Sequence, residues 1–392
     1  MQLPVDLTRR VIMRNIRARA GFRPPYIHVD THIITLAKRI LNFGRRYLFV
    51  HDSLLFSQRK KLHCTVQHLP TILPAMATFS AATFPSARYA SFRPTYPTSL
   101  FTDFLLPYHT GARTTLLDLG CGPGTVTRPL SAYFARTIGT DASDVMLATA
   151  RELTPSSEYV GVEYRTAAAE DLPFLADGEV DMAVAAQAAH WFDQPRWWAE
   201  MRRVVRKGGT VAAWGYRDFL FPKHPRASQI LRAYAYDSHR LGPYWSQPGR
   251  NILECRLNAI RPPPKDWEDV LRWEHEPKFE VEADKEAEEA VRKPVTGDDG
   301  EEGFGKLVKE QDGLMRRTMK MGDLENYLRT WSSYHAWREK HPEAKSIADG
   351  GGGDILDEMM AKMCEAEGWG NDWKEVQVDV AWGHGVILAR RK

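Results

Sequence analysis

Thr114-Thr115-Leu116-Leu117-Asp118-Leu119-Gly120-Cys121-Gly122-Pro123-Gly124 is the stretch whose reading decides the fold. Leu116 and Leu117 form a short apolar run of strand character that leads into Asp118. A glycine loop follows at once, and Thr125-Val126-Thr127-Arg128-Pro129-Leu130 then begins a helix. Gly120 and Gly122 let the backbone turn tightly and approach a ligand with no Cβ in the way. Thr125 is the expected helix cap. Pro129 falls within about the first turn, where a missing N–H costs little. An α/β sheet holds a nucleotide-like ligand at its carboxyl edge with this order of strand, glycine turn and helix.

The glycine spacing narrows the class. A dinucleotide fingerprint is G-x-G-x-x-G, and here its third glycine position is Thr125. The pattern is instead D-x-G-x-G-x-G, from Asp118 to Gly124. Cys121 reads as a small filler within the loop. Arg136-Thr137-Ile138-Gly139-Thr140-Asp141 reads as a second strand ending in an acid. An acid there accepts hydrogen bonds from a ribose diol, because a carboxylate offers two acceptor oxygens and no donor. Ser143 is the expected cap of the next helix. Val162 to Ala168 is a third strand that leads into Ala169-Glu170-Asp171-Leu172. Glu179 to Gln187 is a fourth strand, small and apolar enough to be buried on both faces. Ala188-Ala189-His190-Trp191-Phe192-Asp193 follows at its carboxyl edge, with Asp193 as the next helix cap. A turn at Gly208-Gly209 precedes a fifth strand that reaches Tyr216.

Length and charge set the frame. The chain has 392 residues, a formal charge of +3 and 43% hydrophobic residues, enough for a sizeable core. The first 75 residues are arginine-rich and hold only three acids, Asp6, Asp30 and Asp52; the remainder is net acidic. The rest is therefore not a nucleic-acid binder by bulk charge. Four scattered cysteines show no pairing or metal spacing and fit a reducing compartment. No apolar run is long enough to span a bilayer. Residues 1–75 form a basic extension, read as a disordered tail, a mitochondrial presequence, or a segment ahead of a start at Met76. The expected location is cytoplasmic, or mitochondrial if that extension is a presequence.

The glycine motif is similar to the first motif of the Rossmann-like S-adenosylmethionine (SAM) dependent methyltransferases. Three further segments sharpen the resemblance: Arg93-Pro94-Thr95-Tyr96-Pro97, Ala189-His190-Trp191-Phe192 and Leu328-Arg329-Thr330-Trp331-Ser332. Together they resemble the fungal trans-aconitate methyltransferase-like proteins. The resemblance implies a seven-stranded, mostly parallel sheet with a C-terminal antiparallel strand. Its expected domain is 76–392, with a helical cap and mobile acidic loop over 217–345. Residues 277–305 read as a solvated loop, Leu324 to Tyr334 as one helix, and Val376–Trp382 with Val386–Arg390 as a hairpin turning at Gly383–Gly385.

The resemblance also implies a site. Tyr89, Arg93, Asp118, Gly120, Cys121, Gly122, Gly124, Asp141, Met146, Ala169, Glu170 and Gln187 are the expected cofactor contacts, with SAM as cofactor and no metal. His190, Trp191, Trp214, Arg217 and Trp331 are the expected acceptor contacts, with His190 as base or orienting group. Arg217, His239 and Arg240 are the cations available to a polycarboxylate. The implied acceptor is a small carboxylic acid methylated on oxygen. A hydroxyl or phenol acceptor, or a SAM-binding regulator without turnover, are the alternatives. A monomer or weak dimer without nucleic-acid or membrane partners is expected.

Overall fold

A computed structural model describes residues 86–292, 306–309 and 315–392. The expectations for residues 1–75 and for a start at Met76 lie outside the described residues. Five strands alternate with helices as the sequence predicts: β1 (Thr115–Leu119), β2 (Arg136–Asp141), β3 (Val162–Thr166), β4 (Val180–Ala186) and β5 (Val205–Leu220). Every residue of β1 is buried, and all of β4 but its last residue. Strands covered on both faces demand such continuous apolar runs. These five pair in parallel in the order β3-β2-β1-β4-β5. Winding reverses between β1 and β4, which leaves a crevice at the carboxyl ends of those strands.

Among the described residues the sheet extends to nine strands rather than seven. β6 (Trp267–His275), β7 (Lys306–Lys309) and β8 (Arg316–Lys320) all come from the span expected to be a helical cap. The C-terminal hairpin is instead one strand, β9 (Gln377–Arg391), antiparallel to β5, β6 and β8. The glycines that suggested a turn are there for close approach. A Cβ on Gly385 would stand 2.2 Å from the Arg256 carbonyl oxygen, and one on Gly383 would stand 2.9 Å from Arg217 Cδ.

Helices cover both faces and cap the crevice. Among them are α1 (Ser86–Phe92), α2 (Thr127–Ser131), α3 (Asp144–Glu152) and α4 (Gln194–Val204). Ser143 caps α3 by accepting from the Met146 N–H, and Asp193 caps α4 by accepting from the Arg196 N–H, both as expected. Thr125 does not cap α2: that helix starts two residues later, and its N-terminal flanking residue is Val126. Trp197 and Trp198 of α4 are core residues.

The cap is built from α5 (Pro225–Tyr236), α6 (Gly249–Glu254), α7 (Lys285–Arg292), α8 (Met321–Leu328), α9 (Ser332–Lys340) and α10 (Ile355–Glu367). Helix α7 occupies part of the span read as a solvated loop, and its Ala287 is 1% exposed. The expected single helix from Leu324 to Tyr334 is two helices. Arg329 ends the first, its buried guanidinium held by Glu325, Asp354 and Asp357, each at 2.8 Å. Trp331 then takes extended backbone and leads into α9. Anchoring Arg329 to the start of α10 turns the chain, so a continuous helical period was misleading.

Candidate active site

The crevice is a cavity at the carboxyl ends of β1, β2, β4 and β5, closed by α1, α6 and the α8–α9 break. Gly120 adopts a φ of +62°, and a Cβ there would stand 2.5 Å from the Ala188 Cβ. Only glycine permits both the turn and that contact between the loop after β1 and the turn after β4. Over Gly122 no heavy atom lies within 4 Å of a Cβ position, so the loop backbone faces open cavity.

Two carboxylates face this loop. Asp141 accepts hydrogen bonds from the Gly122 N–H at 2.9 Å and the Ser143 N–H at 2.8 Å. Burial raises its pKa, while these backbone bonds act to lower it. Asp118 Oδ2 accepts from the Thr127 hydroxyl at 2.6 Å, while Oδ1 is buried with no hydrogen-bond partner among the described residues. Burial pushes the Asp118 carboxyl up to about 7; the Thr127 bond opposes that rise and the Asp141 charge adds to it.

Arg93 closes the opposite wall. Its guanidinium lies 4.7 Å from the Tyr89 ring and 5.4 Å from the Tyr327 ring, and Nη2 donates to the Thr330 carbonyl at 3.1 Å. That bond joins two of the short sequence segments that were read as one signature. Arg93 Nε is buried without a hydrogen-bond partner among the described residues.

His190 sits on a short 3-10 turn, Ala189–Trp191, just past β4. It is 4% exposed, its ring lies 4.4 Å from the Trp191 ring, and Nδ1 has no partner among the described residues. Burial, with the charges of Arg250 and Arg93 in support, pushes its pKa down to about 3. The imidazole is therefore neutral over the whole range in which a histidine normally titrates.

Most of the sequence-predicted residues meet here. Tyr89, Arg93, Asp118, Gly120, Cys121, Gly122, Asp141, Met146, Ala169, Gln187, His190, Trp191, Arg217 and Trp331 all line the cavity. Three do not. Gly124 supports the loop from behind: its φ is +77°, and a Cβ there would stand 2.3 Å from the Tyr164 hydroxyl. Glu170 accepts from the Asp193 N–H at 2.7 Å and so ties two loops together. Trp214 packs edge-on to Tyr96 at 5.6 Å and backs the wall without facing the cavity. Two of the lining residues are committed elsewhere. The Gln187 side-chain amide bonds both the N–H and the carbonyl of Tyr216, and Arg217 pairs with Glu276 at 3.0 Å and Glu254 at 3.5 Å. His239 and Arg240 face a separate surface depression with Tyr244 and His341.

Tyr96, Tyr216, Asp218, Trp245 and Arg250 also line the cavity and were not named as contacts, while Tyr327 belongs to the aromatic segment expected to cap the acceptor. Of the five, Tyr96 lies inside a quoted motif. The others come from β5 and the cap, and no short-range pattern connects them.

The fold and cavity define a class: an α/β domain that presents a buried acid and an open glycine loop at its switch point, with an antiparallel strand beside β5. A sequence profile described as a methyltransferase domain matches residues 117–213. CRG1 of Saccharomyces cerevisiae, named a probable SAM-dependent methyltransferase, is 25% identical over 79% of this chain and 96% of its own length. An uncharacterized methyltransferase-like protein of Schizosaccharomyces pombe is 32% identical over 44% of this chain and 68% of its own. A solved structure of a "Putative Type II Methyltransferase" from Anaeromyxobacter dehalogenans is 25% identical and superposes with a TM-score of 0.51, covering 76% of this chain and 98% of that one. The chain belongs to the Rossmann-like SAM-dependent methyltransferases. No helix among the described residues is long and apolar enough to cross a membrane.

Proposed function

We propose that this enzyme transfers the methyl group to a carboxylate oxygen of a small acid. The observation behind this reading is His190, a buried imidazole in the cavity wall held neutral by a pKa of about 3. A general base works best with a pKa near the operating pH, so a group this weakly basic is poorly matched to deprotonating a hydroxyl. A carboxylate acceptor is already ionised and needs no base. Neutral His190 then serves as a hydrogen-bond partner that orients the acceptor. When bound, SAM supplies a methyl group already activated on a sulfonium. The chain's own tasks are to align the acceptor and to keep water out.

The residues present suit that cofactor. The Asp141 carboxylate, with two oxygens and about four lone-pair sites, keeps accepting capacity beyond its backbone bonds, as a ribose diol requires. Asp118 Oδ1, buried and without a partner among the described residues, suits the ammonium of the methionine end, and the Arg93 guanidinium suits its carboxylate. Met146 and Ala169 offer apolar contact on the side of β2 and β3. Trp191, Trp245 and Trp331 give the acceptor end a largely apolar wall. We assign the described part of 76–392 to one catalytic domain.

The test is to incubate the full chain with SAM and a panel of small carboxylic acids, phenols and alcohols, and to follow the gain of one methyl group by mass spectrometry. Methyl esters as products support the reading. Methylation confined to hydroxyls refutes it.

A further inference from the structure

Gln187 adopts a backbone conformation that residues with a side chain avoid. It follows the last residue of β4 and has a φ of +53°. Such strain persists only where the surroundings over-determine it, and it concentrates at functional sites. Three hydrogen bonds hold Gln187 in place. Its backbone N–H donates to the Trp214 carbonyl at 2.8 Å, just past the last pair of the β4–β5 ladder, Ala186 with Trp214. Its side-chain Nε2 donates to the Tyr216 carbonyl at 2.9 Å, and its Oε1 accepts from the Tyr216 N–H at 2.8 Å. In a continued parallel ladder the main chain of β4 would make the bonds to Tyr216. A side-chain amide offers the same donor and acceptor as a peptide group, and here it takes their place.

That substitution frees the main chain to leave the sheet. Directly after Gln187 the chain passes through Ala188 into the 3-10 turn that bears His190, and the Trp191 N–H donates to the Ala188 carbonyl at 2.9 Å. Ala188 is the residue that sits against Gly120 of the glycine loop. Tyr216, at the far end of the amide, lines the cavity and accepts from Arg93 Nη1 at 3.4 Å. Strand β5 is shaped to admit the amide: a Cβ on Gly215 would stand 2.9 Å from Gln187 Oε1. One side chain thereby joins the His190 turn, the glycine loop and the Tyr216 wall, where the sequence suggested a cofactor contact.

We propose that Gln187 is a positioning residue for methyl transfer: its amide replaces the end of the strand ladder, so that the chain turns early and holds His190 against the glycine loop. The acceptor end of the cavity is thereby set in place relative to the cofactor end. This follows from the geometry of the loops and does not depend on whether the acceptor is a carboxylate. Glycine at this position would adopt the same φ without strain and would leave both Tyr216 groups without the amide. A role for the backbone and a role for the amide are therefore separable.

The experiment compares wild type with Gln187→Gly in the full chain. Diethyl pyrocarbonate modification is followed by peptide mass spectrometry at His190, with His109 as the internal reference. His109 is also buried, and its ring bonds the Thr210 hydroxyl and the Ala112 carbonyl, outside the cavity lining. Loss of two hydrogen bonds should raise the His190 rate about tenfold relative to His109. Calorimetric affinity for S-adenosylhomocysteine should stay within about threefold of wild type. Unchanged His190 reactivity, equal acceleration of both histidines, or a loss of cofactor affinity beyond about tenfold would each overturn the proposal. Gln187→Glu supplies a rescue, because a protonated carboxyl again offers one donor and one acceptor. Its His190 rate, normalised to wild type at each pH, should fall back towards wild type between about pH 8 and about pH 5; a rate equal to that of Gln187→Gly throughout would count against the amide role. With whichever compound of the panel above is methylated, Gln187→Gly should lower kcat about tenfold or more and leave the KM for SAM unchanged. A variant as fast as wild type would overturn the proposal. The modification arm needs no acceptor, so failure of the carboxylate reading leaves it intact.

Discussion

Replacing Asp141 with alanine removes two things at once, and the structure separates them. The first is the ribose contact. A hydrogen bond to a charged group contributes roughly 1.5–3 kcal/mol, and loss of the diol pair should cost about 2–3 kcal/mol of SAM binding. That corresponds to roughly 30- to 150-fold weaker affinity. The second is local. The carboxylate accepts from the Gly122 and Ser143 N–H groups, so alanine strips both donors of their partner. A buried donor left unsatisfied costs about 1–3 kcal/mol, but the Gly122 N–H borders the cavity, where water can replace the lost acceptor. A total near 2 kcal/mol is therefore expected, a melting shift of roughly 3 °C for a domain this large. The assay is calorimetric titration of SAM below the variant's own transition, together with a thermal melt. A folded Asp141→Ala protein that binds SAM within about threefold of wild type would refute the ribose assignment, whatever its melting temperature.

Further outcomes follow from other residues. With His190 neutral down to about pH 3, methyl transfer to a carboxylate should show no inflection near about 6.5; a fall of activity through that pH would restore His190 as a base. The same group makes stability pH-dependent. Its folded pKa is depressed, so the unfolded chain takes up the proton first, and stability should fall as pH drops from about 6.5 towards 3. Melts of His190→Ala across that window should show a shallower decline, and identical slopes would contradict the buried, neutral state. His190→Ala should also slow transfer while leaving SAM affinity nearly unchanged. Gly385→Ala should destabilise the fold by roughly 1–3 kcal/mol, because its Cβ meets the Arg256 carbonyl; an unchanged melt would argue against the continuous last strand. A shortened protein beginning at Met76 should bind SAM as the full chain does, since the charge break lies there. Loss of binding in that protein would place the leading segment within the functional unit.

Much of the glycine-loop end of the cavity was legible because it is local in sequence. Asp118, Gly120, Gly122 and Asp141 lie at the ends of two strands whose apolar runs are plain, and strand order in a doubly wound sheet brings them together. Gly124 and Glu170 were read as contacts because they lie within such motifs. Motif membership does not distinguish a residue that touches the ligand from one that props the loop. The hairpin expected at the C-terminus failed for a similar reason. Gly383 and Gly385 look like turn residues in sequence, while the structure uses their missing side chains for close approach to Arg217 and Arg256.

By itself the sequence determined the α/β class, the strand–glycine–helix cradle and the acid that faces it, since periodicity and turn chemistry act over a few residues. It also supplied His190, Trp191 and Trp331 as lining of the cavity. The tertiary structure alone decided how the arginines near the cavity are paired. Arg217 of β5 is engaged by Glu276 and Glu254, and Arg250 of α6 by Asp218 and Glu254, pairings between segments that no short motif joins. The protonation state of His190 was likewise decided in three dimensions, by burial and by two guanidiniums distant in sequence. Charge pairing and desolvation depend on distances between segments remote along the chain, and no local pattern of residues encodes those distances.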